Sequence, residues 1–258
     1  MIEPKDILTN EIDLEIFPKE IFQEHNYLRR NPQSYIEKLE RVLSFFRGKY
    51  FRHPMEMPIE TYEGEKGVIN AIEFLKQQNP VRELIFSEEL SKAARDHAID
   101  IGDNGISNHI GSDNSTLYDR IEKYIEWDGG IGESIQYCYK FPGNIIMSLL
   151  ISDGSKSKIE RENLFNPEFK YVGIDCEKHK KFQVCTVINY AKILFKKNKD
   201  PPDRDENRII TKDYVPNDSI GVEIKNNVIK TFSGDEHNFT RKIFDLSNGK
   251  KYILDYEE

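Results

Sequence analysis

Hydrophobic positions recur at helical spacing through the first 150 residues. Ile21, Phe22, His25 and Leu28 share one side of residues 18–30, the three-to-four spacing of an amphipathic helix. Asn31-Pro32 ends that run and starts another, in which Ile36, Leu39, Leu43 and Phe46 recur, because proline suits a first helical position. Residues 47–63 carry two prolines and no clean period, so they read as a loop. Val68, Ile69, Ile72 and Leu75 predict a helix over 65–78, closed by Asn79-Pro80. Ser87 followed by Glu88 and Glu89 is an N-cap with acids in the first turn. The helix it opens runs to about Asn104, with Leu90, Ala94, His97 and Ile101 on one face. Asn114-Ser115-Thr116 caps a further helix through Tyr124, and Pro142 starts another through Ile151.

The period then changes. Tyr171–Asp175 and Phe182–Tyr190 are β-like runs separated by a charged turn, and Gly132–Tyr139 reads as a third strand. Helices first and strands afterwards predict an α+β layering rather than alternating βαβ units. Residues 195–213 hold Pro201-Pro202 among charges, a linker composition. The tail, 214–258, reads as two hairpins, one turning at Asn226-Asn227 and one at Ser247-Asn248-Gly249. The organisation expected is an amino-terminal arm (1–19), a main domain (20–194), the charged linker and the β-hairpin tail.

Composition narrows the function classes. The 258 residues are 38% hydrophobic and 32% charged, with 37 basic and 45 acidic side chains and a net charge of −8. No basic excess exists to displace counterions, which argues against nucleic acid as partner. No stretch approaches the ~18 consecutive apolar residues of a membrane span, and the acidic start lacks the basic-then-apolar order of a secretory leader. Three cysteines, Cys138, Cys176 and Cys185, cannot all pair with one another and read as buried free thiols in a reducing compartment. Cys176 and Cys185 flank a hairpin turn, and a disulfide between them is the alternative for an oxidising compartment. The expectation is a cytoplasmic protein.

Five motifs occur in order: His25-Asn26 with Arg29 and Pro32; Leu90, Ala93, Ala94, His97, Ala98; His109, Gly111, Asp113, Ser115, Thr116, Arg120; Gly132-Glu133; and Arg161, Asn163, Leu164, Asn166, Pro167, Phe169, Val172, Gly173. Together they resemble the CAP superfamily of cysteine-rich secretory proteins, antigen 5 and pathogenesis-related 1 proteins, over residues 20–194. The resemblance implies a three-layer α-β-α sandwich and a cleft lined by two histidines and two acids, which in some members holds a divalent metal.

Carried over residue by residue, the first histidine is His109 and the first acid Glu133. The second histidine position holds Glu160, and Asp153 is the one acid near the second acid position. One imidazole among carboxylates makes a weaker zinc site than the resemblance implies, so no cofactor is expected, and His109, Glu133 and Glu160 are the candidate cleft residues and, as the alternative, the candidate ligands of a divalent metal. Unmetallated, Glu133 and Glu160 are expected to repel, raising the pKa of one of them. His25 and His97 read as packing residues. His179, among Lys178, Lys180 and Lys181, reads as part of a solvated turn. Thr116 and Ser115 read as a cap, Trp127 as core, and the lysines of 192–199 as a solvated face. The function expected is that of a non-enzymatic protein acting through contacts with other proteins of a larger assembly, cytoskeletal or ciliary. The alternatives are a lipid or sterol carrier and a metal-dependent hydrolase using His109 and Glu133.

Overall fold

A computed structural model describes residues 13–52 and 59–197, together with the strand backbones within 213–257. Helix α1 is Phe17–Arg30, so it opens inside the expected arm, and a 3-10 turn, Pro32–Tyr35, leads into α2, Ile36–Ser44. The segment read as a loop contains three short strands, β1 (Phe46–Arg47), β2 (Tyr50–Phe51) and β3 (Ile59–Glu60), paired in the order β1-β2-β3. Two-residue strands are too short to carry a period. Then follow α3 (Glu65–Gln77), β4 (Ile85–Phe86), α4 (Glu88–Asn104), α5 (Leu117–Glu122), β5 (Glu126–Tyr137), α6 (Pro142–Ile151), α7 (Ile159–Phe165), β6 (Tyr171–His179) and β7 (Gln183–Phe195).

The predicted caps are the ones used. Ser87 accepts from the Leu90 N–H, and Thr116 with Asp119 forms a reciprocal capping box on α5. Strand β5 begins six residues earlier than expected. Gly129 takes a positive φ of 76° inside a β-bulge, and the strand continues through it.

The central sheet has the order β4-β6-β7-β5, with β4 parallel to β6 and the other pairs antiparallel. Alternation along β7 divides the core. Ile188 and Tyr190 join Val172, Ile174 and Cys176 of β6 against α1, α3, α6 and α7. Val187, Cys185 and Ala191 face α4 and α5 with Ile131 and Ile135 of β5. Helices on both faces make the α-β-α sandwich. Cys176 pairs with Thr186, whereas Cys185 pairs with Glu177. The two thiols therefore project from opposite faces of the sheet, and all three cysteines are free, though Cys138 is exposed rather than buried as expected.

Helix α4 is bound to the sheet by backbone proximity as well as apolar contact. Ser91 Oγ accepts from the Ile174 N–H at 3.0 Å. A Cβ on Gly173 would stand 2.2 Å from backbone atoms of Leu90 and Ser91, and one on Gly102 would stand 2.2 Å from the Lys178 carbonyl. Only glycine lets the two backbones come this close.

The first motif turns out to be a set of pins. Asn26 donates to Leu84 O at 3.0 Å and accepts from Leu84 N at 2.8 Å. Arg29, fully buried, donates to the carbonyls of Arg82 (2.7 Å), Leu164 (2.7 Å) and Asn166 (3.1 Å). His25 Nε2 donates to Leu164 O at 3.1 Å. Burial, with the Arg29 charge beside it, pushes the His25 pKa down from 6.5 to about 3, although the bond to Leu164 acts the other way.

The unfolded chain therefore takes up this proton first. The stability His25 contributes is fully present above about pH 6.5 and is lost as pH falls toward 3. Each pH unit across that interval costs about 1.4 kcal/mol, so roughly 2–3 kcal/mol are expected to go between pH 6.5 and 4.5. Asp175, pushed up to about 6 chiefly by burial and then by Glu177, acts in the opposite sense, since its protonation relieves a burden. The measurement is the difference between wild type and His25→Gln in urea unfolding at pH 7 and 4.5. Parallel losses in the two proteins would reject the assignment.

In the tail, β9 (Gly221–Lys225) pairs antiparallel with β10 (Val228–Phe232), Lys225 opposite Val228, and the turn expected at Asn226-Asn227 lies outside the described residues. Strand β8 (Asp213–Tyr214) adds to β9. Strands β11 (Phe239–Asp245) and β12 (Lys251–Glu257) form the second hairpin. The turn assigned to Gly249, the Pro201-Pro202 linker and arm residues 1–12 lie outside the described residues.

Candidate functional site

Glu133 on β5 points toward α4, opposite Asn189 on β7. It is completely buried, and a carboxylate is buried charged only if its lone pairs are met. Arg120 on α5 supplies Nη2, at 2.9 Å from Oε2 and 3.2 Å from Oε1. His109, on the segment between α4 and α5, places Nδ1 2.8 Å from Oε1. Asn189, with its carboxamide set by its surroundings, donates to Oε2 at 3.1 Å and accepts from the Ala94 N–H of α4 at 3.1 Å. His97 on α4 stands further off, Nε2 3.9 Å from Oε1, and donates to Asn108 O at 2.9 Å. Burial works to raise the Glu133 pKa, but Arg120, then His97 and His109, outweigh it and hold it down to about 2. Burial pushes the His97 pKa down, with Arg120 adding to the effect and Glu133 opposing it.

His109 and Glu133 are thus brought together as the motifs implied. Glu160 has a different neighbour. It lies on α7, and its charge, after burial, helps raise the phenol pKa of Tyr190, whose side chain faces the opposite side of the sheet from Glu133. The expected repulsion between Glu133 and Glu160 is replaced by a different balance, because Glu133 is lowered by cations rather than raised by a second acid. Asp153 accepts from the Tyr62 and Glu63 N–H groups at 2.9 Å each, which fixes the entry to α3.

Three site residues were not singled out from sequence. Arg120 was visible as the final letter of the His109 motif, and its spacing was the available signal. Asn189 carried none. His97 was read as packing and is indeed fully buried, yet it also ties Asn108 to α4. His179 is a correction: it is 3% exposed rather than solvated, because β6 continues to it and turns its ring inward. Trp127 is buried beside Tyr118, as expected.

The arrangement does not suit a metal ion. Among the described residues no group of three or more His, Cys, Asp or Glu side chains is placed to hold one. The Glu133 oxygens already accept from Arg120, His109 and Asn189, and a metal displacing Arg120 would strand a buried guanidinium. A crevice of about 260 Å³ opens nearby between α4 and residues 112–115, lined by Asp96, Asp100, Ser112, Asp113, Arg120 and Lys123 among others, and Glu133 is not part of its lining. No helix among the described residues is long and apolar enough to cross a membrane.

No curated protein matches the chain. Among solved structures it is similar to an extracellular protein containing an SCP domain from Bacillus anthracis str. Ames, at 19% identity over 50% of this chain and 38% of that chain, with a TM-score of 0.37. It is also similar to an outer surface protein from Borrelia burgdorferi, at 22% identity over 48% of this chain and 88% of that chain, with a TM-score of 0.39. Residues 22–190 match the model of the cysteine-rich secretory protein family, CAP. With that match over most of its length, and with the five motifs forming the sheet, pins and buried cluster described above, the chain belongs to the CAP family.

Proposed function

We propose that this chain is a non-enzymatic CAP protein that acts through contacts with other proteins, as a component of a larger cytoplasmic assembly, cytoskeletal or ciliary. One observation carries the reading: the Glu133 carboxylate is buried, held by three side chains and kept ionised down to about pH 2. A general base works best with a pKa near the operating pH and within reach of substrate. Glu133 meets neither condition, which weighs against a hydrolase using His109 and Glu133. The crevice beside it is lined mainly by charged and hydroxyl side chains, which weighs against a lipid or sterol carrier. Three free thiols support a reducing compartment.

Native size fractionation of the tagged chain from its own cells, followed by mass spectrometry, tests this directly. Elution far above the 30.3 kDa of the chain, with recurring companions, is expected. Elution at that mass without companions would overturn the assembly reading.

A further inference from the structure

One end of the central sheet carries no residue of the Glu133 cluster. There the β6–β7 turn, 180–182, lies beside the exit from β5. Lys178 pairs with Val184 across the hairpin, and the Val184 carbonyl accepts from the Cys138 N–H at 3.0 Å. Lys178, Val184 and Cys138 thus stand in one row across three strands, which puts the outer two about 10 Å apart at the usual strand spacing. The Tyr137 ring ties the two segments together, 5.0 Å from the Phe182 ring and 5.4 Å from His179.

What this end presents is basic and aromatic. Residues 137–143 and 178–183 hold four lysines, Lys140, Lys178, Lys180 and Lys181, and no acid, in a chain of net charge −8. All four are exposed, and among the described residues none is ion-paired with a carboxylate. Lys181 lies 5.0 Å over the Phe182 ring. Of the acids around them, Asp103 is exposed at the end of α4, where Gly102 O receives the Lys180 N–H at 3.0 Å. Glu177 is turned to Arg95, and Glu24, beside Gly143, is held by Lys38 and Tyr35. Phe141 is 59% exposed and Tyr139 38%. Pro142 confines the residue before it to extended backbone, here φ −126° and ψ 131°. The Phe141 carbonyl is fixed as well, accepting from the Asn144 and Ile145 N–H groups at 3.0 and 3.2 Å. The ring is presented on a backbone already set, which lowers the entropy lost on binding.

We propose that the β5–α6 connection and the β6–β7 turn form one docking surface for a short acidic segment of a partner protein, whose carboxylates meet the lysines and whose apolar side chain meets Phe141. The inference rests on the reading that the chain acts through other proteins. The sign of the patch selects an anion, and the size of the patch selects its class. Charges further off than about 8 Å are largely screened at physiological salt, so a short segment lying on the patch meets the lysines and little of the net −8. A nucleic acid or an anionic membrane extends far beyond the patch and brings its charge against the acidic remainder of the chain. The exposed aromatic ring adds an apolar anchor that a nucleic-acid backbone does not use.

The test titrates the full chain into a fluorescent octapeptide of six glutamates and two leucines, at 50 mM salt, and reads anisotropy. Binding is expected, and is expected to weaken at least about tenfold by 500 mM salt. Lys140→Glu with Lys181→Glu is expected to weaken it at least about tenfold, and Phe141→Ala about fivefold. Lys92→Glu with Lys170→Glu makes the same change of charge on exposed lysines at the other end of the sheet, and is expected to stay within about twofold of wild type. On the wild type, NMR amide shifts on adding peptide are expected over 138–143 and 178–183, a measurement that needs no variant. No binding at millimolar peptide, equal binding of the peptide with glutamine for glutamate, equal losses in the two double variants, or amide shifts elsewhere overturns the surface. So does tighter binding of phosphatidylserine vesicles or of a single-stranded oligonucleotide, or self-association of the chain that Lys140→Glu with Lys181→Glu abolishes. The assembly reading fails by a separate result, elution of the wild type alone at its own mass.

Discussion

Gly173→Ala is expected to lose about 3 kcal/mol or more of stability and most of its soluble yield. The added Cβ would stand 2.2 Å from the Leu90 carbonyl carbon and the Ser91 nitrogen and 2.3 Å from Leu90 Cβ. Two of those three are backbone atoms, so no rotamer change relieves the clash, and α4 has to lift off β6. That movement stretches the 3.0 Å bond from Ile174 N to Ser91 Oγ and the bond between Asn189 and Ala94. Overpacking a well-filled core costs about 1–3 kcal/mol even where side chains adjust, and total stability is only about 5–15 kcal/mol. Gly132→Ala is the useful comparison, because its Cβ would meet the far end of the Phe169 ring at 2.8 Å, which has more freedom to move. Thermal and urea unfolding of both variants settle the matter. A Gly173→Ala protein within about 1 kcal/mol of wild type would mean that α4 and β6 are not packed as described.

Arg120→Ala is expected to cost about 3–5 kcal/mol, because removing one partner leaves the buried Glu133 charge uncompensated. The same guanidinium donates to Ser115 O at 2.9 Å and His109 O at 3.1 Å, so the loop carrying His109 loses two ties as well. Lysine will not rescue the site, since one ammonium does not reach three acceptors spread along a planar fork. The sign of the pH dependence follows from the lowered Glu133 pKa. In wild type its contribution is present above about pH 4.5 and is lost as pH falls toward 2. Without Arg120 the main cause of that lowering is gone, and the acid-side loss shrinks. A double-mutant cycle with Glu133→Ala isolates the pair: the double variant is expected to be less destabilised than the sum of the singles by about 2 kcal/mol. Strict additivity would show that the two side chains do not act as a pair.

Much of the helical layer was legible in advance because its causes are local. Ser87 and Thr116 cap, prolines 32 and 142 start helices, and apolar residues recur at three and four, all within one or two turns of chain. The pairing of Gly221–Lys225 with Val228–Phe232 was legible for the same reason. What was missed lacked a local signature. Helix α7, Ile159–Phe165, spans seven residues, six of them buried, so no polar face marks its period. Strand β5 runs through a Gly-Gly pair that would end most strands, because pairing with β7 on both sides of the bulge holds it.

The candidate site divides in the same way. His109 and Glu133 were carried to the site by the resemblance of their motifs to the CAP family. Glu160 was carried to the same cleft by its place in a motif, but its face is decided by how α7 packs against α1 and α6. His179 was misplaced because its sequence neighbours are three lysines, while its burial comes from Ile106, Tyr137 and Phe182, of which Ile106 and Tyr137 are distant in the chain.

By itself, then, the sequence determined most of the longer helices and strands and several of their caps, which follow from short-range sterics, hydrogen bonding and apolar period, and its motifs carried the resemblance to the family. Only the tertiary structure decided what the polar residues do. Whether a carboxylate is a base, a ligand or a buried partner of arginine depends on which charges and N–H groups distant strands and helices bring within about 3 Å of it, and on how much water they exclude.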